Sequence, residues 1–366
     1  MMRPMTEGDL AEIIRTTQQP LHISGGGTRG IGQPRGAALQ MGGLSGIRLY
    51  EPGALTLVAG SGTSLAEAEA ALATHNQRLP FEVPDMRGLL GTVGQTTLGG
   101  IVAANASGPR RVQAGACRDS LIGLRFVDGM GTIIKNGGRV MKNVTGYDLV
   151  KLLAGSWGTL GVLTEVAFKL LPVPETQTTL VLQGLSDAQA VEAMSAALGS
   201  PFEVSGAAHL PGQGTFLRLE GFVESVGYRA GRLGTELAAF GKSCETGPDI
   251  WHQIRDVAPF HARQGDVWRL SVKPSDAPTI VARMAAAAVY YDWGGGLIWA
   301  LTEPGTDLRA RIAPFVGHAT LIRASAETKA RIPTFQPEPK PIAALTAALR
   351  AKFDPRAILN PGVMER

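Results

Sequence analysis

The chain has 366 residues, 44% of them hydrophobic, and its 47 glycines are nearly twice the usual share of roughly 7%. The length suits two packed domains rather than one small stapled fold, and 2 cysteines outside any CxxC pattern give neither a disulfide framework nor a zinc site. A net charge of +4 from scattered Lys and Arg argues against a nucleic-acid surface, and no run approaches the roughly 18 apolar residues of a membrane span.

No apolar core followed by a small-residue cleavage site opens the chain, so no signal peptide is read. The spacing of Leu10, Ile13 and Ile14 predicts a helix over 6–18, with Thr6 and Asp9 at its cap. A short strand over 21–23 then leads into SGGGTRGIG (24–32). Consecutive free N–H groups in such a loop can wrap a phosphate, or the loop can be a plain flexible turn. No G-x-G-x-x-G opens a helix here, so the loop is not a Rossmann fingerprint. Strands are expected over 47–50 and 55–59, followed by a helix from Ser64 with Glu67 completing a capping box.

Residues 91–109, GTVGQTTLGGIVAANASGP, contain no Lys, Arg, Asp, Glu or His. Glycine costs about 1 kcal/mol against alanine in a helix interior, so this stretch is not expected to be a packing helix. Two readings stay open: backbone laid against a large ligand, or a tight-turn segment in a β-rich core. Strands over 121–127 and 131–135 flank an Asp128-Gly129 hairpin turn. Asp148 starts a short helix, residues 162–170 read as a strand, and Pro172 and Pro174 mark a boundary.

Beyond the prolines the pattern changes. Strands are expected over 178–183, 215–219, 267–272, 289–291 and 297–301. Helices are expected over 187–198, 225–240, 276–285 and 307–316, and a last one over 342–353 after a proline-rich link. The mixture predicts an α+β domain with an antiparallel sheet.

SGGGTRGIG, the 91–109 stretch, GYDLVKLLAGSWGTLGVLTEV and the terminal DPRAILNPG together resemble flavoproteins of the vanillyl-alcohol-oxidase type, the PCMH-type FAD-binding fold. RVMKNVTGYDL, VWRLSVKPSDAP, DWGG before LIWAL, GHAT and ILNPG are similar to the family of FAD-binding E subunits of bacterial glycolate dehydrogenase, also called glycolate oxidase. The resemblance implies a two-part FAD-binding domain over 1–174, an α+β cap over 175–340 and a C-terminal helix and NPG tail over 341–366 that returns to the first domain. It implies FAD held by Gly25, Gly26, Gly27, Thr28, Arg29 and Gly32 around the pyrophosphate. Gly91, Thr92, Gly94, Gln95, Thr96, Gly99, Gly100, Ala103, Ala104, Asn105 and Gly108 would form a second wall. Gly155, Ser156, Gly158, Gly161 and Val162 would close the adenosine side, with Asn360 in the tail.

Relatives that attach FAD covalently do so through a histidine where this chain has Thr28, so non-covalent FAD is expected. Related catalytic subunits carry a metal-binding HxGDGNxH segment in the cap; this chain has none, and its nearest counterpart is GHATLIRA (317–324), with His318. Oxidising a 2-hydroxy acid needs a hydride acceptor, a base and a cation for the carboxylate. Candidate bases are His252, His261 and His318; candidate cations are Arg255, Arg263, Arg269 and Arg323, with His252 and Arg255 one helical turn apart. The implied partners are a catalytic flavoprotein subunit and an iron–sulfur subunit, with no metal in this chain. The implied location is cytoplasmic, any attachment to the inner face of the cell membrane coming through partners. Two functions fit: an FAD subunit that oxidises glycolate or a similar acid such as D-lactate, and an FAD relay or assembly subunit beside a separate dehydrogenase.

Overall fold

A computed structural model of the chain describes residues 1–138 and 146–364. Most of the RVMKNVTGYDL motif, residues 139–145, lies outside the described residues. The chain divides into two compact units: residues 1–107, 115–173 and 337–366 form unit 1, and residues 108–114 and 174–336 form unit 2.

Unit 1 opens with helix α1 (Glu7–Thr16), closed at its N-terminus by a reciprocal capping box between Thr6 and Asp9. Strands β1 (Leu21–Ser24) and β2 (Ala37–Gln40) pair in parallel, and the glycine-rich loop spans the connection between them. Leu10 and Ile14 of α1 bury against Leu21, Leu39, Ile358 and Leu359. The larger sheet is antiparallel: β3 (Ile47–Glu51), β4 (Thr56–Gly60), β5 (Leu121–Val127), β6 (Ile133–Gly137) and β7 (Val162–Lys169), in the order β3-β4-β7-β5-β6. Helix α2 (Leu65–Ala73) follows β4; Ser64 caps it by accepting from the Glu67 N–H, but the reciprocal Glu67 bond of the expected box is not made.

The 91–109 stretch holds a helix after all. Helix α3 (Leu98–Ala103) contains both Gly99 and Gly100, and Thr97 caps it by accepting from the Gly100 N–H. Leu98, Ile101 and Val102 are fully buried against sheet residues such as Leu57 and Phe126. The expectation failed because burial outweighs propensity. Three apolar side chains fully buried contribute about 1.5–3 kcal/mol each, against about 1 kcal/mol per glycine. Gly99 also permits the approach: a Cβ there would stand 2.8 Å from the Ser61 Cβ and 2.9 Å from the Ser61 carbonyl oxygen.

The C-terminal tail returns to β1. The Leu21 N–H donates to the Ile358 carbonyl (2.8 Å) and the Asn360 N–H to the Leu21 carbonyl (3.0 Å). Just upstream, the proline-rich link leads into α8 (Lys340–Phe353).

Unit 2 is an eight-stranded antiparallel sheet, as the expected α+β class requires. Its strands are β8 (Thr176–Leu182), β9 (Gly206–Leu210), β10 (Gly214–Gly221), β11 (Ser243–Thr246), β12 (Asp266–Val272), β13 (Ala288–Asp292), β14 (Leu297–Thr302) and β15 (Gly317–Arg323), in the order β11-β8-β10-β9-β13-β14-β12-β15. Helices α4 (Asp187–Gly199), α5 (Val223–Glu236) and α7 (Ala277–Met284) supply Met194, Leu233 and Ile280 to the core on one face, against Leu217, Trp268 and Ile298 of the sheet. On the other strand face Trp251 of α6 (Ile250–Arg255) lies over Arg218 and donates its indole N–H to Thr179 Oγ1 at 2.8 Å. The helix expected over 307–316 is only Leu308–Ile312, because Ala313 is extended before Pro314. Strands β9, β11 and β15 have no counterpart in the sequence reading, and of α6 only the helical spacing of His252 and Arg255 is read there.

Candidate functional site

Unit 1 contains a cavity of about 400 Å³, within the size range of small-molecule and cofactor sites. Its walls come from the loop after β1, the end of β2, the start of α3, residues 157–163 and the C-terminal tail. The backbones of two walls touch. A Cβ at Gly26 would run into the Gln95 carbonyl, and one at Gly25 would stand 3.3 Å from the Thr97 Cβ. Thr28, itself buried, shares a hydroxyl hydrogen bond with Thr96 (3.0 Å). Asn360, at φ 47°, accepts from the Ile23 N–H (2.6 Å) and donates to the Trp157 carbonyl (2.8 Å), fastening three walls with one side chain.

Gly25, Gly26, Gly27, Thr28, Arg29, Thr96, Gly99, Gly100, Ala103, Gly158, Gly161, Val162 and Asn360 line this cavity. The other residues named for the cofactor do not. Gly32, at φ 65°, backs onto Val363; Gly91, at φ 64°, ends a short helix. Thr92 donates to the Thr28 carbonyl, Gly94 packs on Gly26, and Gln95 supplies the carbonyl that fixes Gly26 as glycine. Ala104 ends α3, and Asn105 Oδ1 accepts from the Arg118 N–H at 3.0 Å. Gly155 and Ser156 bond to the Val102 and Leu153 carbonyls. Gly108 belongs to unit 2, where its carbonyl accepts from the Trp293 indole N–H (3.0 Å).

Sequence reasoning missed His22, Gln40, Met41, Ser61 and Trp157 in the lining. Most carry no motif of their own; Ser61 lies in the small glycine cluster GSGTS, of which only Ser64 carries a signal, as a helix start.

The lining suits a dinucleotide. Among the described residues its ionisable side chains are Arg29 and His22, with no acid beside them. A Cβ at Gly27 or Gly30 would meet nothing within 4 Å, so both leave backbone open to the cavity. A pyrophosphate needs donors and little bulk, and this wall provides both. Arg29 also donates to the Pro84 carbonyl at 2.5 Å, which holds its guanidinium in place.

The catalytic candidates lie in unit 2. Arg269 on β12 is partly buried, with its guanidinium carbon 5.0 Å from the Trp293 ring centroid and that of Arg111 4.7 Å from the same ring. Burial and then the neighbouring Arg111 cation push the Arg269 pKa down to about 10, so it stays charged at neutral pH. His318 on β15 pairs with Ser271, and Arg269 pairs with Thr320, so Arg269 and His318 project from the same face. His252 is exposed on α6 and Arg255 makes a two-pronged pair with Asp256 at 2.8 Å. His261 bonds the Asp256 carbonyl; Arg263 bonds the Ala287 carbonyl, and Arg323 clamps the carbonyls of Phe260 and Arg263. Among the described residues no group of three or more His, Cys, Asp or Glu could hold a metal ion.

Residues 1–137 match the family model described as FAD binding domain. The chain is 35% identical over 349 residues to glycolate oxidase subunit GlcE of Escherichia coli K12, covering 94% of this chain and 92% of that protein. It is 48% identical over 86 residues to glycolate oxidase subunit GlcD of Bacillus subtilis, covering 24% of this chain and 18% of that protein. Among solved structures it is similar to an alkyldihydroxyacetonephosphate synthase, with a TM-score of 0.71 and 15% identity, covering 98% of this chain and 76% of that one. At that identity the likeness shows the fold alone.

Proposed function

The chain belongs to the family of glycolate oxidase subunit GlcE, and from that membership we propose that it takes part in oxidising glycolate to glyoxylate as the FAD-bearing E-type subunit of such a complex. It is an FAD-dependent oxidoreductase subunit. The observation that carries the site assignment is the acid-free, glycine-walled cavity of unit 1. Gly25, Gly26, Gly27, Thr28 and Arg29 would hold the pyrophosphate, and Gly99, Gly100 and Ala103 would offer a flat wall to the rest of the dinucleotide. FAD, when bound, supplies a hydride acceptor for the Cα–H of a 2-hydroxy acid.

In unit 2, Arg269 is the cation we assign to the substrate carboxylate, since Arg255 is already engaged by Asp256 and Arg323 by backbone carbonyls. His318, on the same strand face, would take the hydroxyl proton; His252 is the alternative base. Electrons would leave through an iron–sulfur partner. Cys117 is buried, with its thiol pushed up in pKa by that burial, and Cys244 is exposed, so the described residues give no pair of thiolates for a cluster.

A second reading, an FAD relay subunit beside a separate dehydrogenase, is favoured by one sequence observation: the cap has GHATLIRA where catalytic relatives have the metal-binding segment. Anaerobic addition of glycolate to the purified FAD-loaded chain decides between them. Bleaching of the flavin supports direct chemistry. No bleaching, with activity restored only by adding the partner subunits, supports the relay. In either case the flavin is expected to leave the protein on acid precipitation, since Thr28 cannot form the histidyl link; flavin retained in the pellet refutes that expectation.

A further inference from the structure

We infer that Ser61 holds the cofactor: its hydroxyl makes a hydrogen bond to the FAD in the unit 1 cavity. This rests on the FAD-site reading above. Ser61 directly follows β4, and both of its backbone groups are used within the fold. Its N–H donates to the Thr164 carbonyl (2.9 Å) and its carbonyl accepts from the Gly99 N–H (2.7 Å). The residue is 2% exposed and lines the cavity. Its Oγ is buried, yet it bonds to no protein group among the described residues.

Neighbouring side chains on the same walls have protein partners. Thr28 and Thr96 bond each other, Thr97 accepts from the Gly100 N–H, and Asn360 is held by Ile23 and Trp157. Helix α3 closes one side of Ser61, as the 2.8 Å between its Cβ and a Cβ on Gly99 shows. A buried hydroxyl without a partner is costly. The partner for this one therefore comes from the cavity, as a polar atom of the bound dinucleotide.

The test is titration of the FAD-free full-length chain with FAD, for wild type and Ser61→Ala, alongside the unfolding midpoint of each FAD-free chain. The expected result is FAD binding about ten-fold weaker in the variant, the upper range for one neutral hydrogen bond. The FAD-free midpoint should stay level or rise, because an unmade hydroxyl bond has been removed. A merely structural serine would move the midpoint down instead. Equal FAD affinity in the two chains overturns the inference, as does a lowered FAD-free midpoint. Wild type that takes up no FAD overturns the site reading itself, so the two failures are distinct. Parallel titrations with FMN and ADP locate the contact: loss with one probe only places the bond on that half, loss with both places it on the phosphate the two probes share, and loss with neither overturns it.

Discussion

Gly99→Ala and Gly100→Ala sit side by side in α3 and gain the same helix propensity, about 1 kcal/mol each. Their surroundings differ. An added Cβ at Gly99 stands 2.8 Å from the Ser61 Cβ and 2.9 Å from the Ser61 carbonyl oxygen, whereas one at Gly100 meets only the Thr97 hydroxyl at 3.2 Å. The first contact is with backbone next to a strand, and relieving it also stretches the 2.7 Å bond from the Gly99 N–H to the Ser61 carbonyl. Overpacking costs about 1–3 kcal/mol and the strained hydrogen bond about 1 kcal/mol more. Gly99→Ala should therefore destabilise the FAD-free chain by about 1–3 kcal/mol after its propensity gain. Gly100→Ala asks a side chain to move a few tenths of an ångström, and should leave stability unchanged or raise it by up to about 1 kcal/mol. Denaturant unfolding of the two FAD-free variants is the measurement. A Gly99→Ala chain as stable as wild type would refute the argument that close approach to Ser61 fixes this residue.

Three further outcomes are expected. Arg110 and Glu220 form a two-pronged ion pair (2.8 and 2.9 Å) buried within unit 2, with Arg218 Nε 3.6 Å from the same carboxylate, so Arg110→Ala, which removes both short bonds and leaves the longer pair, should cost about 1.5–3 kcal/mol in unfolding free energy; a loss below about 1 kcal/mol would contradict the burial argument. Burial acts to raise the Glu7 pKa, but hydrogen bonds from Arg125 and Thr164 outweigh it and leave the carboxyl below its usual range. With the folded value depressed, its contribution is full above the unfolded pKa of about 4.3 and is lost as pH falls through the folded value. The melting-point deficit of Glu7→Gln at pH 7 should shrink towards pH 3, and a deficit that stays constant with pH would show that packing rather than charge is responsible. Asn360→Leu keeps the volume but drops the bonds to the half-buried Ile23 N–H and Trp157 carbonyl. It should lower stability by about 1–3 kcal/mol and weaken FAD binding, while wild-type values in both titration and melt would remove Asn360 as a fastener.

Much of this architecture was legible because it rests on local signals. Thr6, Ser64 and the apolar spacing of α1 and α2 marked those helices, and alternating apolar runs marked most strands of both sheets. What escaped depended on partners distant in sequence. Strand β9 has only Gly, Ala, His and Leu, weak strand formers taken together, and is a strand because β10 pairs along its whole length. Helix α3 was rejected on propensity and exists because of the surface beneath it.

The glycines show why the candidate site was only half legible. Composition marks where backbone comes close to something, but not on which side. Gly27 faces open space, as a residue against a ligand should. Gly26 and Gly94 instead press on each other's loops, and Gly32 presses on the tail. All four give the same signal in the chain. The two classes divide the work: one leaves room along the cavity, and the other holds the walls at the distance that makes the cavity. Ser61 carries no such signal, since a serine after a strand is ordinary until α3 seals it in. A sequence reading finds the glycines of both classes and misses a buried hydroxyl that has no protein partner among the described residues beside them, because that distinction exists only once the walls have closed.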